Sequence, residues 1–253
     1  MAYQILPGYQ VRLAKRSPHD HWQGGAAYHQ GAVCPICDRP LLLLWDLACS
    51  DPRFAVGGRP LFKNLERLPL YYCWTCSAEM DYRIVTPNRI KVLKNQGEFQ
   101  GKHFPYKNYP LQFPRRPIEL NRLIEMPEAA QKIVSSCFGC DRIPASGKKA
   151  LEKWLGRKVK FAFDIWWHQL GGLPWLAQGP ERIVCPNKQC SWSHRGWAMK
   201  ILAVVMNDPP SGLPMVETIE EVKKDHGHFN NQVQVIFHVC RGCLTLHAAN
   251  RCG

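Results

Sequence analysis

Four cysteine pairs constrain this chain more than any other feature. Cys34-Pro-Ile-Cys37 is followed by Cys73-Trp-Thr-Cys76, and much later Cys185-Pro-Asn-Lys-Gln-Cys190 is followed by Cys240-Arg-Gly-Cys243. A cysteine pair separated by a short turn brings two sulfurs to one ion, and two such pairs complete a tetrahedron of thiolates around zinc. The same four-cysteine arrangement is therefore written twice. The expected cofactor is Zn2+ at two structural sites, one held by Cys34, Cys37, Cys73 and Cys76, the other by Cys185, Cys190, Cys240 and Cys243.

The residues around the pairs repeat as well. Gly24-Gly25 leads to Tyr28, Gln30-Gly31 and Val33-Cys34-Pro35, while Gly171-Gly172 leads to Trp175, Gln178-Gly179 and Val184-Cys185-Pro186. The apolar run Leu41 to Leu47 ends at Asp51-Pro52, and Met199 to Met206 ends at Asp208-Pro209. Short runs of this kind, bounded by turn residues, predict buried strands. Leu70-Tyr71-Tyr72 before Cys73 and Val235 to Val239 before Cys240 have the β-branched and aromatic composition of strands. Val216 to His226 carries apolar Val216, Ile219 and Val222 among charges and predicts a short amphipathic helix.

The middle of the chain follows neither plan. Ile118 to Ser136 is expected to be helical, with Pro127 near the start of a second turn, and Lys148 to Leu155 to form a further helix stopped by Gly156. Pro105, Pro110, Pro114 and Pro117 predict an extended, irregular segment before it. The expected fold class is α+β, mainly β: two pseudo-repeated β-rich modules, each clamped by a four-cysteine zinc site and joined by a partly helical connector. The boundaries are residues 1–117, 118–160 and 161–253. Cys137-Phe-Gly-Cys140 falls in the connector, where it reads either as part of an extra metal site or as a reduced thiol pair. Cys49 and Cys252 read as small buried apolar residues.

Composition narrows the function. Twelve cysteines without a signal-peptide pattern favour metal over disulfides and a cytoplasmic setting. The longest apolar runs are far too short to cross a bilayer as a helix. The formal charge is +13, and two closed four-thiolate zinc sites would bring it to about +9. Such a protein suits acidic partners. Enzyme motifs are missing. Ser146-Gly147-Lys148 resembles the end of a phosphate loop, but Arg142 stands where its first glycine is needed. His19, His21, His226 and His228 lie in polar stretches without a matched carboxylate and read as surface histidines.

Gly171-Gly172-Leu173-Pro174-Trp175-Leu176, then Cys185-Pro186 and the late Cys240 and Cys243, resemble the TYPP group. That group includes bacterial YwqG-like proteins and the programmed cell death protein 2 family. The likeness is densest over residues 168–252 and thinner over 22–85, where Ala27 and Tyr28 replace the Pro and Trp. The resemblance implies a β-rich fold of two related halves and a non-enzymatic role in holding a specific protein client. Its bacterial members imply immunity against a cognate secreted toxin; its eukaryotic members imply chaperoning of a ribosomal protein. A basic antitoxin matches an acidic toxin or effector, whereas a carrier for a basic ribosomal protein would itself be acidic. The rival expectation is a nucleic-acid-binding zinc ribbon. It rests on Trp74 and Tyr82 beside Arg83, and on Trp192 and Trp197 beside Arg195, since aromatic–basic clusters stack bases and hold phosphates.

Overall fold

The computed structural model describes residues 5–75, 79–96, 110–123, 127–130, 145–155, 158–159, 168–172, 174, 176, 181–206 and 233–252. They are dominated by one large, curled, antiparallel sheet of eleven strands. The first part of the chain supplies β1 (Tyr9–Leu13), β2 (His21–Gly25), β3 (Leu42–Ala48), β6 (Arg67–Tyr72), β7 (Glu79–Thr86), β8 (Arg89–Gln96) and β9 (Phe113–Arg122). The last part supplies β10 (Gln169–Leu170), β11 (Lys200–Met206), β12 (Val233–Val239) and β13 (Thr245–Cys252). A separate two-stranded hairpin, β4 (Ala55–Val56) with β5 (Arg59–Pro60), projects from the first part. The longer described helix is α1 (Ala145–Leu155); α2 (Ser191–His194) is a single turn, and short helical turns also occur at Pro52–Phe54 and residues 128–130. Among the described residues no helix is long and apolar enough to cross a membrane.

The strand order is β6-β3-β2-β9-β1-β10-β11-β12-β13-β7-β8. Strands β6 and β7 stand near opposite ends of that order. Even so, the buried Tyr82 hydroxyl on β7 donates to the Pro69 carbonyl on β6 at 2.8 Å and accepts the Tyr71 N–H at 2.9 Å. The Gln30 backbone, after β2, likewise bonds Asn88 and Ile90 around β8. The sheet has curled until its ends meet, which leaves few unpaired edges.

The interior explains the curl. All seven residues of β3 are buried, as expected of a near-continuous apolar run covered on both faces. Trp45, Leu47, Leu68, Leu70, Phe237 and Leu246 pack in one core cluster that draws on both parts of the chain. Each such side chain contributes roughly 1.5–3 kcal/mol on burial. The strands expected around Leu41–Leu47, Leu70–Tyr72, Met199–Met206 and Val235–Val239 are all present.

The helix expected to begin at Ile118 does not. Ile118–Arg122 is the second half of β9, paired with β1 from Ile118↔Leu13 to Arg122↔Tyr9. Ile118 and Leu120 are buried while Glu119 and Asn121 alternate with them, a period of two that decides for strand. Pro114 and Pro117, expected in irregular chain, lie in the first half of the same strand. They are tolerated because β1 pairs only with residues from Ile118 onward, so this half has a ladder on the β2 side alone. The helix expected at Lys148–Leu155 is found within α1. Of the rest of 118–136, residues 128–130 form a helical turn just after Pro127, where the Ala130 N–H donates to the Pro127 carbonyl at 2.8 Å. Residues 124–126 and 131–136, Gly156 and the helix expected over Val216–His226 lie outside the described residues.

Both glycine pairs serve the sheet. Gly24 has φ 70° and Gly171 φ 65°. A Cβ on Gly24 would stand 2.5 Å from the Pro114 carbonyl oxygen, and one on Gly171 would collide with that of Pro7. Only glycine fits a left-handed turn pressed against another backbone.

Candidate metal centres

The second cysteine set converges fully. The sulfurs of Cys185, Cys190, Cys240 and Cys243 all lie within 4.8 Å of one another. Cys185 and Cys243 are 3.6 Å apart, as are Cys190 and Cys240. These are free thiols, too far apart for disulfides. Four thiolates on one tetrahedral ion stand ~3.8 Å apart, given metal–sulfur bonds of ~2.3 Å. In the first set Cys34, Cys37 and Cys73 converge in the same way, with Cys37 and Cys73 sulfurs 3.7 Å apart. Cys76, its expected fourth member, lies outside the described residues.

Backbone geometry shows why these segments make such sites. The Cys34 N–H donates to the Arg39 carbonyl at 2.9 Å, and the Asp38 N–H to the Cys34 carbonyl at 3.0 Å. At the other cluster the Cys240 N–H donates to Thr245 at 2.8 Å, and the Leu244 N–H to Cys240 at 3.0 Å. The residue after each pair is left-handed, Asp38 at φ 56° and Leu244 at φ 54°. Two Cys-x2-Cys turns with unrelated inner residues thus adopt one knuckle. Leu244 is the costlier case, because a bulky residue disfavours that conformation. The wider Cys185–Cys190 spacing holds an extra turn: Asn187 accepts the Gln189 N–H on its side chain at 3.2 Å and the Cys190 N–H on its carbonyl at 2.9 Å.

Neighbouring groups favour charged sulfur. The Asn95 amide donates to the Cys34 sulfur at 3.0 Å, and the Thr245 hydroxyl lies 3.0 Å from that of Cys243. Hydrogen bonding from Cys240 first, then from Thr245 and Asn187, holds Cys243 well below the usual thiol range despite burial. Its partner Cys240 is correspondingly pushed up, and burial raises Cys185 to about 11. Without a cation, Cys243 is favoured as the thiolate while Cys240 and Cys185 are held toward the protonated form. A thiolate-binding metal ion removes that conflict, and both clusters could hold one.

The other sequence candidates separate clearly. Trp74 and Tyr82 are 1% and 0% exposed and belong to the core, so no base can stack on them. Trp197 is 45% exposed, packs edge-on against Trp192 at 5.0 Å and carries Arg195 over its ring at 4.9 Å. Cys49 is partly buried, and burial lifts its thiol to about 12, which leaves it inert. Cys137, Cys140, His226, His228 and the Cys252 side chain lie outside the described residues.

His21 is not a surface histidine. It is fully buried on β2, where its Nε2–H donates to Asp51 at 2.7 Å and its Nδ1 accepts the Ala48 N–H at 3.1 Å. Burial lowers its pKa in spite of Asp51, consistent with a neutral ring. Asp51 resists its own burial through hydrogen bonds from Arg53 and His21, which bring it down to about 2. The buried His168 has a matching bond, its Nδ1 accepting the Met206 N–H at 3.1 Å. A His-x2-Gly-Gly string occurs at both places, His21 to Gly25 and His168 to Gly172; that repeat was the signal for buried histidines.

One groove of about 650 Å³ lies where the β4–β5 hairpin approaches the Cys240–Cys243 knuckle. Arg59, Lys63 and Arg241 line it, with Val56, Leu61 and Leu244 between them. Among the described residues no carboxylate lines it. Among known proteins, no family model, no curated protein and no solved structure matches the chain.

Proposed function

We propose that this chain is a zinc-clamped, non-enzymatic binding protein of the TYPP kind that sequesters an acidic protein client. Its best-fitting role is immunity against a secreted toxin or effector. The observation that carries the reading is the groove beside the second cysteine cluster. Three cations face it with apolar side chains between them, and no described acid neutralises them there. An acidic, partly apolar protein surface complements such a groove, and complementary fields speed encounter and limit wrong partners. A basic ribosomal protein does not complement it.

The metal belongs in a supporting role. Four thiolates close the shell of a zinc ion and weaken it as a Lewis acid, whereas catalytic zinc keeps a position open for water. Zinc rather than a redox metal suits reduced cytoplasmic thiols that must stay structural. The two knuckles, the paired glycine turns and the matching bonds of His21 and His168 support descent of the two halves from one duplicated module.

Nucleic acid is the second reading, favoured by the exposed Trp197 with Arg195. Affinity capture with the full chain decides between them. The expected result is one stoichiometric acidic protein, retained by wild type and lost with Arg59→Glu/Arg241→Glu. Capture of nucleic acid alone, released by moderate salt and weakened by Trp197→Ala, would overturn the client reading.

A further inference from the structure

On the face of the sheet turned away from the core cluster, β12, β13 and β7 carry a row of polar side chains. His238 is the direct cross-strand partner of His247, and His247 of Asp81. Their chain neighbours Phe237, Val239, Leu246, Ala248, Met80 and Tyr82 all pack in the core on the other face. The row is nonetheless buried, with His238 at 4%, His247 at 5% and Asp81 at 6% exposure.

The Nδ1 of His247 lies 2.8 Å from Asp81. The two nitrogens of an imidazole lie on opposite flanks of the ring. Turning Nδ1 toward β7 therefore turns Nε2 toward β12, where His238 stands, and the ring centroids are 5.8 Å apart. Among the described residues, eight buried side-chain nitrogen or oxygen atoms lack a hydrogen-bond partner, and three of them sit on these two rings: Nε2 of His247 and both nitrogens of His238. Orphan groups are costly and rare, so their concentration on two facing rings asks for a ligand that takes nitrogen lone pairs.

We propose that His238 and His247 are ligands of a further metal site, for a transition-metal ion that takes imidazole nitrogen, zinc or copper(I). Metal–nitrogen bonds of ~2.1 Å place the centroids of two rings on one ion ~5–6.5 Å apart, and the observed separation falls inside that range. Asp81 holds His247 as carboxylates hold metal-ligating histidines, fixing the tautomer and presenting Nε2 to the ion. Arg251 anchors Glu79 and Glu181 at 2.8 and 2.7 Å, which leaves Asp81 to His247. Neither imidazole belongs to the four-sulfur group at the head of the same hairpin.

The test is metal content of the full chain, purified reduced and loaded separately with zinc and with copper(I). Wild type should retain about one ion per chain more than His238→Gln or His247→Gln for the metal the site prefers, and Asp81→Asn should weaken that ion ~10–100-fold. Cobalt titration of the wild type gives a second readout that survives a misfolded variant. Thiolate charge-transfer bands should saturate first, and a last equivalent should bind with nitrogen-type absorption and no added thiolate band. Equal metal content in folded variants, or cobalt that enters on sulfur alone, would overturn the proposal.

Discussion

The two cysteine clusters differ in the path the chain takes beyond their later cysteines. After Cys240–Cys243 the chain turns back on itself, and β13 pairs with β12 from Val239↔Leu246 to Val233↔Cys252. After Cys73 it does not. Strand β6 stays with β3, while β7 crosses to the far end of the order and joins β13 through Thr245↔Arg83. One cluster is thus supported by its own hairpin. The other depends on a strand held by the opposite end of the molecule. Similar cysteine spacing specifies a local turn, and the strands beyond it pair with whichever edge the rest of the fold offers.

The largest test of that contrast is removal of one sulfur from each site. Cys240→Ser should abolish soluble protein, because zinc contributes ~10–16 kcal/mol of apparent binding energy to a structural site. It should also release β7, whose partner strand hangs from that knuckle. Cys34→Ser should lose its own metal and leave the β12–β13 hairpin protected. Soluble yield checks the first variant, and hydrogen exchange with metal content the second; a folded Cys240→Ser chain with unchanged metal would break the comparison.

Gly242→Ala should act next. A Cβ there would stand 2.6 Å from Trp192 Cδ1 and 3.2 Å from the Cys190 sulfur. Overpacking of this kind costs about 1–3 kcal/mol. Thermal unfolding should show the loss, and a chelator should strip the second cluster faster while the first keeps its rate.

Acid gives a third test. The His21 pKa is depressed below its usual 6.5 in the fold, so the unfolded chain takes up a proton that the folded chain excludes. Its contribution is complete above pH 6.5 and is lost as pH falls from there. The Asp51 contribution is complete above 3.8 and is lost toward its folded value of about 2. Stability should therefore decline in two stages. His21→Gln should flatten the upper stage at a cost of about 1–3 kcal/mol, and denaturant titrations between pH 7 and pH 4 measure it.

The smallest effect on folding is expected at the groove. Arg241→Glu should change stability by under about 0.5 kcal/mol, as exposed substitutions do. Calorimetric unfolding should scarcely separate it from wild type. A large loss would mean that Arg241 holds the two parts of the chain together instead of facing a partner.

Most of what was legible in sequence is local. Cys34, Cys37, Cys185, Cys190, Cys240 and Cys243 announce ligands because short turns set the distance between their sulfurs. Leu42–Ala48 and Lys200–Met206 read as strands because runs of apolar residues between turns have few other uses. The failures have equally physical causes. Ile118–Arg122 carries too few residues for a period of two to stand out from a helix. His21 hides among Ser17, His19 and Asp20, whose polarity masks a strand that alternates inward. Trp74 and Tyr82 looked like a stacking surface because an aromatic beside an arginine reads the same in a core as on a face.

The sequence by itself determined the cysteine turns that could hold a metal ion, the β-rich character, the positive charge and the glycine turns that let backbones touch. Only the tertiary structure decided that β7 would leave β6 for β13, that His21 would be sealed against Asp51, and that His238, His247 and Asp81 would share one row. Each of these joins residues far apart in the chain. Their meeting depends on the curl of a single sheet around a shared core, and no local pattern of residues carries that curvature.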